Sequence, residues 1–154
     1  MGIEKIVAKQ YRDKVNHAAK QLDDLSMPPE GWLRTVRKAL HMSGPQLARR
    51  LGVTKAQVSR TEIAELSGRV TIKTMQNMAE SMNCHFVYAV VPEQEIEELI
   101  KQRALEKARE QVKAASTQMA LEDQALSGEQ LALEVERLTS EMVENMPSDL
   151  WSDE

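Results

Sequence analysis

The stretch QLARRLGVTKAQVSRTE, Gln46–Glu62, has the pattern of two short helices joined by a tight turn. Ala48 is small enough to lie where two helices cross closely. Gly52 permits the positive φ that such a turn requires. Thr54, with Gln57 three residues later, is a typical helix start signal. The stretch therefore predicts one helix that ends at Gly52 and a second helix that begins after Thr54.

The second of these helices is predicted to read DNA. Its inner side is fixed by Val58, which faces the same core as Leu47, Leu51 and Val53. The side chains predicted to reach base edges in a major groove are Lys55, Ala56, Gln57, Ser59 and Arg60. The groups predicted to contact phosphates are Ser43, the amide of Gly44, Arg50, Thr54, Arg69, Thr71 and Lys73. The alternative is a small helical bundle with a solvated basic face.

The net charge of −4 hides a strong division along the chain. Residues 1–80 carry 14 basic against 8 acidic side chains, a net charge of +6, whereas residues 81–154 carry 6 against 16, a net charge of −10. Within residues 31–80 the count is nine basic against three acidic. A basic region can bind a polyanion while an acidic region faces elsewhere, so the overall acidity does not exclude DNA binding.

Apolar periodicity predicts further helices on both sides of this stretch. Residues 3–25 form an amphipathic pattern that the prolines of SMPPEG interrupt, and a second helix follows from Trp32. Ser43 with Gln46 and later Thr71 are start signals for the third and fifth helices. The sequence does not determine whether residues 3–25 pack on their own chain or on a second copy.

One β-strand is predicted, in HFVYAVVP, which Pro92 ends. A single strand leaves its backbone groups unpaired, and no second strand candidate exists in the sequence. We therefore expect a homodimer in which Phe86, Val87, Tyr88 and Val90 lie in a strand that pairs antiparallel with the same strand of another copy.

The carboxyl-terminal part is predicted to be helical and acidic. A long helix extends from Glu93 to about Leu126, and another covers roughly 129–145 after Ser127 and Gly128. Residues 121–154 hold one basic against ten acidic side chains. The last six residues, DLWSDE, are expected to be disordered unless a partner holds Leu150 and Trp151.

Two levels of resemblance follow from these residues. The helix-turn-helix pattern resembles the Cro/phage-repressor class, which implies a five-helix unit over residues 31–83; Thr61 departs from the bulky apolar residue usual in that class. The segments PPEGWLRTVRKALHMSGPQLARRLGVTKAQVS, TIKTMQNMAESMNCHFVYAVVP and QMALEDQAL resemble the mobile mystery protein A family. That resemblance implies a bacterial regulator encoded beside mobile mystery protein B, a Fic-domain protein of the class that transfers AMP, and hence an antitoxin-like role.

A candidate inhibitory motif lies near the carboxyl terminus. Known Fic inhibitors have a helix with Ser or Thr, three residues, Glu, and then Gly or Asn, and SEMVEN supplies Ser140, Glu144 and Asn145. A carboxylate can pair with a guanidinium in place of phosphate. SMPPEG (26–31) also matches, but its prolines exclude a helix, so the pattern is loose. The alternative is that Ser140 and Glu144 simply lie on a solvated helix face.

The complete prediction is a mostly α protein with three regions. These are an N-terminal helical arm (1–30), a helix-turn-helix DNA-binding domain with the dimerising strand (31–92), and an acidic helical partner-binding region (93–154). The function expected is a repressor of its own operon, acting on a palindromic duplex, that is also the antitoxin of a Fic-domain toxin. The alternative is a stand-alone regulator whose last helices serve dimerisation or signal sensing.

Other classes of function are not indicated by the sequence. No nucleophile, base and orienting group are arranged as in an enzyme, and the three histidines and single cysteine show no metal-ligand spacing. No cofactor is expected. One cysteine permits no internal disulfide, and neither a secretion signal nor a membrane span is visible, so the expected location is the cytoplasm.

Overall fold

The computed structural model describes residues 2–153, and in that range the chain is mostly helical. Residues 2–153 form seven helices and no β-strand. They are α1 (Ile3–Leu22), α2 (Trp32–Ala39), α3 (Gly44–Leu51), α4 (Lys55–Ser67), α5 (Ile72–Ser81), α6 (Ile96–Leu121) and α7 (Gly128–Asn145). The residues form two compact units: Leu22–Ala89, which contains α2–α5, and the residues before Leu22 together with those from Val90 onward, which contain α1, α6 and α7.

The helix boundaries in the first unit follow the start and stop signals of the sequence. Ser43 accepts a hydrogen bond from the amide of Gln46 at 3.2 Å, and the Gln46 side chain returns to the amide of Ser43 at 2.8 Å, which completes a capping box. Gly52 ends α3 in the left-handed conformation with φ of 71°. Thr54 caps α4, and Thr71 caps α5.

The core of this unit joins all four helices. Leu47, Ala48 and Val58 are at most 3% exposed, so the residues at the turn between α3 and α4 face inward as expected. The other buried members of the cluster are Leu33, Met75, Met78 and Met82, with Leu51, Val53 and Phe86 packed at its edge. Methionines thus fill the space that aromatic residues occupy in many cores.

Two carboxylates of α4 hold α2 in place. Glu62 is 7% exposed and forms a bidentate pair with Arg37, with Nη2 at 2.7 Å and Nε at 3.1 Å from Oε1. Glu65 accepts hydrogen bonds from the amides of Trp32 at 2.7 Å and Leu33 at 2.9 Å. Glu65 therefore caps the beginning of α2, where the preceding Gly31 has no capping side chain.

The first unit differs from the prediction in two respects. Four helices, not five, lie within residues 31–83. The segment predicted as a strand, with Phe86, Val87, Tyr88 and Val90, has no strand structure. No backbone group of residues 85–91 is hydrogen-bonded to another backbone group within the described chain. The physical reason is that a strand is defined by a ladder, and the single chain contains no partner strand.

The second unit is built on the contact between α6 and α7. Ala104 and Ala108 are fully buried, four residues apart on one side of α6, and Met142 of α7 packs against them. Small residues at this spacing let the two helices approach closely. Ser127 starts α7 with a second capping box, completed by Gln130.

Residues 149–153 are held within their own chain, contrary to the expectation of disorder for DLWSDE, of which Glu154 lies outside the described residues. Leu150 is 2% exposed and belongs to the core cluster of α6 and α7. Arg103 donates from Nε to the carbonyl of Leu150 at 2.7 Å and from Nη2 to that of Ser152 at 2.8 Å, and Lys107 donates to the carbonyl of Asp149. These two cationic side chains therefore hold the backbone of residues 149–152 against α6.

Helix α1 is attached to its unit by polar contacts near the start of α6. Asn16 accepts a hydrogen bond from the amide of Ile96 and donates to Glu97, both at 2.9 Å, and Arg12 lies 3.3 Å from Glu97. The pKa of Glu97 is lowered by a hydrogen bond from its own backbone amide and then by the one from Asn16. No residue of α1 from Ile3 to Leu22 is buried.

Candidate nucleic-acid interface and partner surface

The side chains predicted to reach bases all lie on the solvent side of α4. Val58 is 1% exposed, and the five predicted residues around it are all exposed. They are Lys55, Ala56, Gln57, Ser59 and Arg60. Neither Lys55 nor Arg60 takes part in an ion pair with any residue between 2 and 153. The outer side of α4 therefore offers cationic and polar groups that are not committed elsewhere in the described chain.

Three of the predicted phosphate contacts are helix caps. The hydroxyls of Ser43, Thr54 and Thr71 accept hydrogen bonds from the third residue of α3, α4 and α5, at 3.0–3.2 Å. Thr71 also donates to the Thr74 hydroxyl at 2.9 Å. A capped helix start presents partial positive charge from its first amides, which suits an anion.

The remaining predicted phosphate contacts are one backbone amide and three cationic side chains. A Cβ on Gly44 would lie 3.9 Å from Cγ of Lys55, so the start of α3 is next to the first residue of α4. Arg69 and Lys73 are exposed. Arg50 is exposed as well, but its Nε donates to the carbonyl of Ser81 at 2.7 Å, which fixes the guanidinium and leaves its terminal nitrogens available.

Two of the three carboxylates in residues 31–80 are turned away from the basic surface. Of the three acidic residues in 31–80, Glu62 is paired with Arg37, and Glu65 caps α2. Glu80 alone is exposed. The surface is consequently more cationic than the count of nine against three suggests. Sequence reasoning missed the roles of Glu62 and Glu65, although two acidic residues at a three-residue spacing in an otherwise basic region were a usable signal.

The candidate inhibitory residues lie on one exposed side of α7. Ser140 and Glu144 are exposed and one helical turn apart, and Asn145 is the last residue of the helix. Glu144 has no ion pair within the described residues. By contrast, the Arg137 hydrogen bonds to Glu134 lower the pKa of that carboxyl and raise the pKa of Arg137.

The second match to the same pattern is not helical. Ser26, Glu30 and Gly31 lie between α1 and α2 outside any helix, as the two prolines predict. The carboxylate of Glu30 is bound by Lys38 at 2.9 and 3.0 Å, and this hydrogen bond lowers the pKa of Glu30. SEMVEN is thus the one of the two matches that has the helical geometry of an inhibitory motif.

The segment predicted to pair between copies is available for pairing. Val87, Tyr88 and Val90 are 73%, 63% and 92% exposed. Phe86 is half-buried against the core cluster and stacks on Tyr88 with ring centroids 5.7 Å apart. Free backbone groups next to exposed β-branched and aromatic side chains are typical of an edge strand.

Residues 2–153 contain no group of three or more side chains that could together hold a metal ion. None of the helices in that range is both long and apolar enough to span a bilayer.

Comparison with known proteins finds no relative of this chain. No family model, no curated protein and no solved structure matches it.

Proposed function

We propose that this protein is a sequence-specific DNA-binding repressor that inserts α4 into a major groove. One observation carries this proposal: the exposed side of α4 from Lys55 to Arg60 carries free cationic and amide side chains, while the carboxylates Glu62 and Glu65 of the same helix are engaged internally. In this arrangement Arg60 and Gln57 would read bases. The caps at Ser43, Thr54 and Thr71 would position the helix on phosphates.

The proposed active form is a homodimer. Pairing of the exposed segment around Val87, Tyr88 and Val90 with the same segment of a second copy would complete its backbone hydrogen bonds. A two-fold dimer reads a palindrome, with its two recognition helices in successive major grooves about 34 Å apart. Such an operator in the promoter of the protein's own operon would make it an autorepressor.

Selection of binding sites from random duplexes by the full chain tests this function. The expected result is a palindromic consensus bound with an affinity that falls steeply with salt, because cationic side chains release counterions from the DNA. A full chain that is folded and dimeric but shows no salt-sensitive binding to any duplex would overturn the proposal.

A second proposed function is inhibition of a Fic-domain partner by α7. The resemblance to the mobile mystery protein A family supports it, as does the exposure of Ser140 and Glu144 on one side of a helix. The carboxylate of Glu144 would pair with an arginine of the partner and displace a phosphate of ATP. The acidic residues of 121–154 would favour a partner with a basic cleft.

Co-expression with the Fic-domain gene that the resemblance implies beside this one tests the second function. An antitoxin co-purifies with the product of that gene and restores growth of cells that express it. A stand-alone regulator, the alternative function, does neither and still binds its operator. The two functions are therefore tested independently of one another.

A further inference from the structure

An apolar cavity of about 200 Å³ opens at the surface of the unit that contains α2–α5. It is lined by residues of α2 and α5, including Val36 and Ala79, together with Leu25, Phe86 and Val87. A cavity of ~150 Å³ with apolar walls is large enough for benzene, so this cavity has room for one aromatic ring.

Part of the cavity lining belongs to the segment that lacks backbone partners. Residues 85–91 make no backbone hydrogen bonds to other backbone groups in the described chain, and Phe86 and Val87 line the cavity. In an extended segment Phe86 and Tyr88 share one side, and their rings are stacked. A chain that forms backbone hydrogen bonds with residues 85–91 would therefore lie over the opening of the cavity.

We propose that the cavity receives the Tyr88 ring of a second copy. This inference rests on the homodimer of the proposed function and specifies its register. With the two-fold axis at Val87, residue numbers opposite each other across an antiparallel pair sum to 174, so Tyr88 of one copy stands opposite Phe86 of the other. The two symmetric cavities are then filled by two symmetric rings.

A second copy fits this site better than an unrelated ligand because the segment is complementary to itself. It supplies an exposed aromatic ring, with Tyr88 63% exposed, and it borders a cavity sized for a ring. A two-fold axis places the Tyr88 ring of each copy at the cavity of the other, and it also pairs the free backbone groups of the two segments. The hydroxyl of Tyr88 stays at the open mouth of the cavity, where water can reach it.

The role of the ring is tested by measuring the dimer dissociation constant by analytical ultracentrifugation of the full chain without DNA. Tyr88→Thr introduces a β-branched side chain that favours a strand as tyrosine does, but it removes the ring, so we expect a 10- to 100-fold weaker dimer, on the order of one aromatic anchor. Tyr88→Phe keeps the ring, and we expect a change of less than about threefold. A Tyr88→Thr dimer as tight as the unchanged protein overturns the inference.

Trp32 reports on the cavity directly. In a Trp151→Phe background Trp32 is the single tryptophan, and we expect its emission to shift to the red when the dimer dissociates on dilution. Tyr88→Thr should show the red-shifted spectrum even at concentrations where it is dimeric. An emission spectrum that does not change across the dimer transition overturns the inference, as does an apolar dye that binds the dimer as tightly as the monomer.

The register is tested by disulfide formation with the natural Cys84. Positions 84 and 90 sum to 174, so Val90→Cys should form two intermolecular bridges to Cys84, because opposed Cα atoms lie within disulfide range. Val91→Cys is the matched control and should not crosslink efficiently to Cys84. A dimer in which only the control crosslinks overturns the register. DNA binding with no dimer at all overturns both this inference and the dimer of the proposed function, while leaving groove recognition by α4 standing.

Discussion

Gly31 and Glu65 lie against each other because Gly31 has no side chain: a Cβ at this position would stand 2.9 Å from Oε1 of Glu65. Gly31 also has a φ of 84°, which L side chains rarely adopt. The carboxylate needs this space to accept hydrogen bonds from the amides of Trp32 and Leu33. One glycine thus permits the contact by which α4 caps α2.

Gly31→Ala should lower the free energy of unfolding of the α2–α5 unit by about 2–3 kcal/mol, since left-handed strain and a displaced cap act together. Urea unfolding followed by circular dichroism measures it. Gly68→Ala is the matched control, because Gly68 has φ of 76° but nothing within 4 Å of its Cβ position. The control should lose only about 1–2 kcal/mol. Equal losses in both variants would contradict a role for Glu65.

Removal of one partner of the Arg37–Glu62 pair should lower the free energy of unfolding strongly. The two side chains are 15% and 9% exposed, and Arg37 also donates to the carbonyl of Met42 at 3.1 Å. Glu62→Gln would leave a largely buried guanidinium without its counter-charge, and we expect a loss of about 3 kcal/mol in urea unfolding.

The double variant Arg37→Met with Glu62→Leu removes both charges and should recover most of the stability lost by Glu62→Gln. If the double variant is no more stable than the single one, the loss does not arise from an uncompensated charge.

Local signals in the sequence predicted most helix starts because those signals act over three or four residues. Ser43, Thr54 and Thr71 all cap helices as expected. Ser127 was expected only to interrupt the helical pattern, and it caps α7. The segment containing Tyr88 was expected to be a strand from its residue types alone. It has no strand structure because a strand needs a partner, and the described residues contain no second strand with which it pairs.

Contacts between residues distant in the sequence explain what was missed. The hydrogen bonds from Arg103 and Lys107 to the last residues span more than 40 positions, so DLWSDE was expected to be disordered. Glu62 and Glu65 likewise act on residues about 30 positions away. The exposed residues from Lys55 to Arg60 were placed correctly on the solvent side because one buried residue, Val58, fixes the orientation of the whole helix.

Leu150→Ala should destabilise the contact between α6 and α7 although it lies four residues from the end of the chain. The side chain is 2% exposed, and truncation of a buried leucine leaves a cavity that costs about 2–5 kcal/mol. Thermal unfolding followed by circular dichroism measures the loss. Trp151→Ala is the control: the ring is 62% exposed, and its centroid lies 5.9 Å from Arg103, so we expect a loss of less than about 1 kcal/mol.

If Arg60 reads a base and Lys73 contacts a phosphate, their alanine variants should behave differently on DNA. Arg60→Ala should cost about 1–3 kcal/mol on the selected operator and remove the preference at one base position of each half-site. Lys73→Ala should weaken binding to all duplexes alike and reduce the slope of log affinity against log salt by about 1. Fluorescence anisotropy with single-base operator variants at several salt concentrations measures both. Identical behaviour of the two variants on every probe would show that α4 is oriented differently.

Glu144→Gly should release a co-expressed Fic-domain partner without changing operator affinity, because the carboxylate on α7 is far in sequence from α4. Transfer of AMP by the partner and growth of the co-expressing cells measure the release. Glu136→Gly is the matched control: it removes an exposed carboxylate from the interior of the same helix, where the loss of helix propensity is about 1 kcal/mol and at least as large as at Glu144 near the helix end. The control should keep the partner silent. If both variants release the partner, weakening of α7 is the cause, and if neither does, Glu144 is not the inhibitory group.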